Sequence, residues 1–304
     1  MWIGFTLFVL ALLAIDLGLF HRKAHEVSLK EATIWSAVWI SLAALFGLGV
    51  YRFFGATSAV EFFTGYLIEK ALAVDNIFLF VVIFGSFAIP AAYQHRILFW
   101  GVVGALLMRA AFIWAGAALL ARFHWVFYLF GAFLLFTSVK LLLQRSEGYD
   151  PSMNPVVRLF RRFVPMTTEP HGPRFTVVQG GARMATPLLL VLVLIEVTDV
   201  VFALDSIPAI FAVTSDPFIV FTSNIFAILG LRSMYFLLAG MLDRFHRLKT
   251  GLALILGFVG LKMLVADIVK IPPFIALAVV LAILAASVGA SLLWPRRHGL
   301  HRPA

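Results

Sequence analysis

The chain has 304 residues, of which 62% are hydrophobic and only 13% charged, and its mean hydropathy is +1.01; soluble domains carry about a quarter charged residues, so a water-soluble globular fold is excluded. The net charge of +9 does not point to nucleic acid, because the basic residues lie almost wholly between apolar stretches, where they read as topology signals facing anionic lipid headgroups. The absence of cysteine excludes disulfides, thiolate metal sites and a cysteine nucleophile.

A bilayer's apolar core takes about 20 largely apolar residues per helical crossing. Read in chain order, hydropathy predicts nine such spans, at residues 2–20, 32–51, 61–84, 97–120, 125–143, 187–212, 218–241, 248–267 and 272–294. The first has neither a basic leading segment nor a small-residue cleavage site, so it reads as a retained helix. The expected fold is all-α: a polytopic transmembrane bundle of about nine helices forming a single transmembrane domain over 1–304. Sixteen Lys and Arg of the connections fall on one side of the membrane, against only Arg52, Arg122 and Lys270 on the other. This asymmetry predicts an outside N-terminus and a cytoplasmic C-terminus. The one long connection, 144–186, holds five prolines and six arginines and reads as a cytoplasmic loop with little regular structure.

An internal repeat emerges when ALAVDNIF (71–78) is set against VFALDSIP (201–208), which matches Asp75 with Asp205, Asn76 with Ser206 and Glu69 with Asp199. Arg109 then corresponds to Arg232, and Lys140 to Lys262. The charge rule orients the third and sixth spans oppositely. Two inverted three-helix repeats, about 61–143 and 187–267, are therefore expected, an arrangement that puts a transporter's substrate site near the bilayer midplane.

Five intramembrane acids, Glu69, Asp75, Glu196, Asp199 and Asp205, would together cost on the order of 15 kcal/mol facing lipid. They must face one another, a cavity or an ion. Residues seven apart share a helix face, which groups Glu69 with Asn76 and Asp199 with Ser206; Glu196 and Asp199 are neighbours at three apart. With the two helices antiparallel, equal depth pairs Glu69 with Asp205 and Asp75 with Asp199. Pro208 frees the carbonyl of Leu204 from its helical bond, adding a candidate ligand. Carboxylates, an amide, a hydroxyl and a carbonyl form a hard oxygen set for Mn²⁺, Mg²⁺ or Ca²⁺.

The basic residues Lys70, Arg109, Lys140, Arg232 and Lys262 read as ion-pair partners that fix helix packing. Asp16 reads either as a further ligand or as an interfacial residue. All eight histidines fall in loops or near span ends and read as interfacial. Gly-rich phosphate loops, HExxH pairs and nucleophile elbows do not occur in a suitable context, so no enzymatic activity is expected.

Three segments, AIDLGLFHRKAHEVSLKEA (14–32), EKALAVDNIFLF (69–80) and above all EVTDVVFALDSIPA (196–209), give the chain its resemblance to the TerC family of bacterial membrane proteins, in particular its Alx-like branch. The resemblance implies Mn²⁺ export across the inner membrane, with Mn²⁺ as transported substrate. The tellurite resistance linked to the same family fits the chemistry less well, because an oxyanion prefers arginine-rich or helix N-terminal sites. Proton exchange is the natural coupling for a carboxylate site. The alternative is a non-transporting membrane partner that supplies metal or assists assembly of exported proteins. The oligomeric state is left open.

Overall fold

The computed structural model describes residues 1–20, 27–143, 154–167, 169, 171–179, 181–239 and 247–293, with the backbone alone for 15–20. Among these residues there are eleven helices and one two-stranded hairpin. In order they are α1 (Trp2–Phe20), α2 (Leu29–Phe54), α3 (Ala56–Ser86), α4 (Ala91–Arg122), α5 (Trp125–Leu143), α6 (Pro155–Phe163), β1 (Thr176–Gln179), β2 (Ala182–Ala185), α7 (Pro187–Phe211), α8 (Pro217–Leu229), α9 (Leu231–Leu238), α10 (Leu248–Leu264) and α11 (Pro273–Leu293).

Five of these, α2, α4, α5, α7 and α11, are long and apolar enough to cross a membrane, and α8 with α9 makes a sixth when the pair, bent by 41°, is taken as one span. The chain is thus an all-α membrane bundle. Composition explains why α3 stands apart: it carries Glu61, Glu69, Lys70 and Asp75 in one helix. The surface supports the same solvent assignment, since Trp114, Phe136, Val201 and Leu204 are exposed in mid-helix while charged and amide side chains lie inside, an arrangement that lipid tails tolerate and water does not.

Helices α3 and α7 form the centre and run antiparallel. Gly65 near the start of α3 lies against Ile210 near the end of α7, whereas Ile77 and Phe80 cluster with Leu188 and Val191 at the opposite ends. Helix α4 packs along α7, α8 packs along α3, and α5 packs most extensively against α10. The α5–α10 approach depends on glycine. A Cβ at Gly131 would lie 3.0 Å from the Gly260 carbonyl oxygen, and one at Gly260 would lie 2.8 Å from that of Gly131, so the two backbones touch as small-residue interfaces in membranes allow.

The long connection departs from expectation. Instead of an irregular loop it contains α6 and an antiparallel hairpin with Thr176 opposite Ala185 and Gln179 opposite Ala182. Asn154 caps α6 by accepting a hydrogen bond from the Val156 amide at 2.8 Å, and Pro155 takes the first helical position, where its missing N–H costs nothing. Gly181 supplies the positive φ of the hairpin turn. The Thr186 hydroxyl donates to the Arg174 carbonyl at 2.7 Å, and buried Val157 joins the apolar cluster of α3, α4 and α7. Proline and glycine here begin and turn elements, so counting them as breakers alone hid both elements.

The histidine expectation is corrected at one position: His95, one turn into α4, is buried. His124 and His171 are exposed, and the other five lie outside the described residues.

Candidate functional site

The centre of the bundle is organised by one guanidinium. Arg109, projecting from the middle of α4, donates through Nε to Asp199 Oδ2 at 3.3 Å and through Nη2 to Asp199 Oδ1 at 3.1 Å. Its Nη1 donates to Ser206 Oγ at 3.1 Å and to Glu69 Oε1. Helical spacing accounts for the convergence: Asp199 and Ser206 are two turns apart on one face of α7, and the fork of an arginine spans carboxylate geometry in a way a lysine does not. Arg109 and Glu69 are each 1% exposed and Asp199 is 3% exposed, so all three charges are removed from solvent. Two carboxylates against one guanidinium leave a formal charge of −1.

The remaining acids lie around this cluster. Glu196, one turn before Asp199, presses its carboxylate against α4 at Gly104, where any Cβ would collide with it. Asn76 is 2% exposed and shares the Glu69 face of α3 by its spacing of seven. A cavity of about 10 Å³, no larger than one water, is bordered by Asp199, Gly101 and Arg232.

Asp75 and Asp205 belong to a second set, half-buried, on the side of α5 and α10. Asp205 accepts a hydrogen bond from Thr137 Oγ1 of α5 at 2.9 Å and lies within electrostatic range of Lys140 and Asp75. Asp75 is in turn within range of Lys249 on α10. The expected pairs, Glu69 with Asp205 and Asp75 with Asp199, are therefore corrected to Glu69 with Asp199 and Asp75 with Asp205. Equal depth fixed the height of each group and left its azimuth out. Residues 205 and 206 differ by about 100° around the helix, which turns Ser206 toward Arg109 and Asp205 toward α5.

The lysines are also reassigned. Lys70 donates to the Ala227 carbonyl at 2.9 Å and contacts Met234 Sδ at 3.3 Å, just where α8 breaks at Gly230 and releases carbonyls from their helical bonds. Lys262 donates to the Ala212 carbonyl at 3.0 Å at the end of α7. Both ammoniums serve as C-terminal caps, placed where the helix dipole favours a cation, and among the described residues neither has an acid within ion-pair distance. Lys140 is exposed, Arg232 is buried at 9% exposure, and the side chain of Asp16 lies outside the described residues.

Among the described residues no three His, Asp or Glu side chains assemble as a metal cage, because Arg109 stands between the carboxylates of Glu69 and Asp199. Two contributors went unforeseen, Thr137 and Gly104; elsewhere in the core, Asn224 of α8 is fully buried with both ends of its amide unpartnered among the described residues. Their signal was polarity or smallness inside apolar runs, as in the Thr222–Ser223–Asn224 triplet.

A polytopic bundle with ionisable groups at its core is an integral membrane protein in which those groups are candidates for function. The model of the integral membrane protein TerC family matches residues 54–299, and the chain belongs to that family. It is 58% identical over 296 residues to "Uncharacterized membrane protein STKORF319" of Myxococcus xanthus, covering 97% of this chain and 93% of that one. It is 49% identical over 293 residues to "Putative membrane-bound redox modulator Alx" of Escherichia coli (strain K12), covering 93% and 91%, and 40% identical to a membrane protein of Rickettsia bellii, covering 96% and 97%. No solved structure matches the chain.

Proposed function

We propose that the protein is a divalent metal cation transporter of the bacterial inner membrane that exports Mn²⁺ by alternating access. The observation that carries this reading is a set of buried oxygen acceptors without hydrogen-bond partners among the described residues. Glu69 Oε2 and Asn76 Oδ1 are both fully enclosed on one face of α3, and leaving such an acceptor unmet costs about 1–3 kcal/mol. A hard cation meets them. The donor chemistry alone fits Mg²⁺ and Ca²⁺ as well, and Mn²⁺ is preferred on the family resemblance.

In this reading the chain crosses nine times, with α8 and α9 as one broken span, the N-terminus outside and the C-terminus cytoplasmic. Residues 61–143 and 187–267 are inverted repeats that rock about the site. Support comes from the antiparallel α3 and α7, from the reciprocal packing of α4 on α7 and α8 on α3, and from the glycine contact of α5 with α10. Carboxylates released by the cation accept protons, which makes proton exchange the natural coupling.

Flux from Mn²⁺-loaded proteoliposomes tests the reading with wild type, Asp75→Asn and Asp205→Asn. Metal-dependent flux is expected from wild type, with at least a tenfold loss in each variant, on the order of one removed ionic ligand. A wild type without flux sinks transport; normal flux in both variants sinks only the role of these two acids.

The ordered connection of α6 and the hairpin, packed on the bundle, favours a second reading, a membrane partner that supplies metal or assists exported proteins. The name of the Alx relatives agrees with it. A chain without cysteine would influence redox state through metal supply or a partner, not through its own thiols. Redox changes in exported proteins that persist in a strain carrying a flux-dead variant would favour this reading.

A further inference from the structure

We infer that Arg109 is a tethered counter-cation that takes the place of the transported ion between Glu69 and Asp199, and that a divalent cation binds there by displacing it. The inference rests on the transport reading above and adds what holds the site together when no cargo is aboard.

Two buried carboxylates with no compensating charge cannot rest at the centre of a bilayer. Arg109 meets the need directly. Its three nitrogens engage both Asp199 oxygens, Glu69 Oε1 and Ser206 Oγ, four of the oxygens on which a cation of ligand number six or more would draw. Guanidinium and divalent cation therefore compete for the same atoms. The partial character of the occupancy is visible too: among the described residues Glu69 Oε2 and Asn76 Oδ1 remain unmet, and one formal negative charge remains uncancelled. A divalent ion supplies both the missing charge and the missing contacts, so it has a margin over the arginine. Because α4 carries Arg109 and α7 carries Asp199, exchanging one cation for the other breaks a bond between helices of different repeats. Binding is thereby coupled to their relative movement, and the arginine's return helps expel the ion.

Competition has a signature that a merely structural ion pair lacks. In Arg109→Gln the competitor is gone, so equilibrium Mn²⁺ binding to purified protein, followed by the loss of the free-ion paramagnetic resonance signal, is expected to tighten about tenfold or more, within the usual range of coupled sites. Net efflux from proteoliposomes is expected to fall about tenfold at the same time, because release loses its driver. Arg109→Lys keeps the charge but cannot fork, so it is expected to tighten binding by a smaller factor, about fivefold, and to slow efflux less. Should the Gln variant fail to fold, the Lys variant decides alone. Weaker or unchanged Mn²⁺ binding in the folded variants overturns the inference while wild-type flux leaves the transport reading standing. A wild type that neither binds nor moves Mn²⁺ overturns both.

Discussion

Two acidic sets lie on the same pair of helices, six residues apart, which is about 9 Å along the helix axis and about 120° around it. Glu69 and Asp199 face inward to α4, where a forked guanidinium holds them away from solvent. Asp75 and Asp205 turn toward α5 and α10, where the Thr137 hydroxyl donates to Asp205 at 2.9 Å and Lys140 and Lys249 stand within electrostatic range. The inner set is closed and has one guanidinium for two carboxylates; the outer set is half-buried. In a transporter this division separates a site that holds from a site that admits. The largest effect should come from breaking the inner one. Arg109→Ala leaves two buried carboxylates uncompensated and is expected to destabilise by about 3–5 kcal/mol, read as a large loss of thermal stability in detergent. The matching Lys140→Ala change, at an exposed residue, should be nearly silent. Equal losses for the two would erase the distinction between the sets.

An intermediate effect is expected between them, at the contact of Glu196 with Gly104. The carboxylate occupies the space that a side chain would take on α4, so Gly104→Ala forces the carboxylate or the helix to move. Overpacking of this kind costs about 1–3 kcal/mol. Glu196→Gln keeps the shape and the packing against Gly104 while removing the charge, so it should cost less than the glycine change, about 1 kcal/mol or less. If Gly104→Ala leaves thermal stability unchanged, Glu196 is free to swing, and the side chain belongs with the half-buried outer set.

Much of this arrangement was legible in the sequence. The expected stretches 2–20 and 125–143 coincide with α1 and α5, and 187–212 overshoots α7 by one residue, because hydropathy reports burial in lipid directly. The acids were found by their cost in an apolar run, and the spacing of seven correctly grouped Asp199 with Ser206. Partners were less legible. A helix's length fixes the depth of Asp205, whereas its azimuth relative to α5 depends on how Gly131 and Gly260 let α5 and α10 close together, which is a tertiary fact. Lys70 looked like an acid's partner because nothing local announced that α8 would break at Gly230 and present carbonyls. The break was hidden inside a continuous apolar stretch, 218–241. Arg109 was legible as an ion-pair partner of the buried acids, and it does pair with them; which two carboxylates it joins emerges only when three helices are assembled.

The smallest expected effect tests the outer set by itself. Thr137 donates to Asp205 across the α5–α7 contact, and Thr137→Val removes the hydroxyl while keeping the branched shape. A hydrogen bond to a carboxylate is worth about 1.5–3 kcal/mol when enclosed, but Asp205 is only half-buried and water can replace the lost donor. The loss should therefore be about 1 kcal/mol or less in stability. Function should respond differently. A carboxylate relieved of its hydrogen bond is a better ligand but a less well aimed one, so Mn²⁺ flux should change by only about two- to threefold, the factor expected for well under 1 kcal/mol. A loss of flux as deep as that of Asp205→Asn would mean that the hydroxyl itself binds the ion. The outer set would then be a built site in its own right, not the half-open approach to the one held by Arg109.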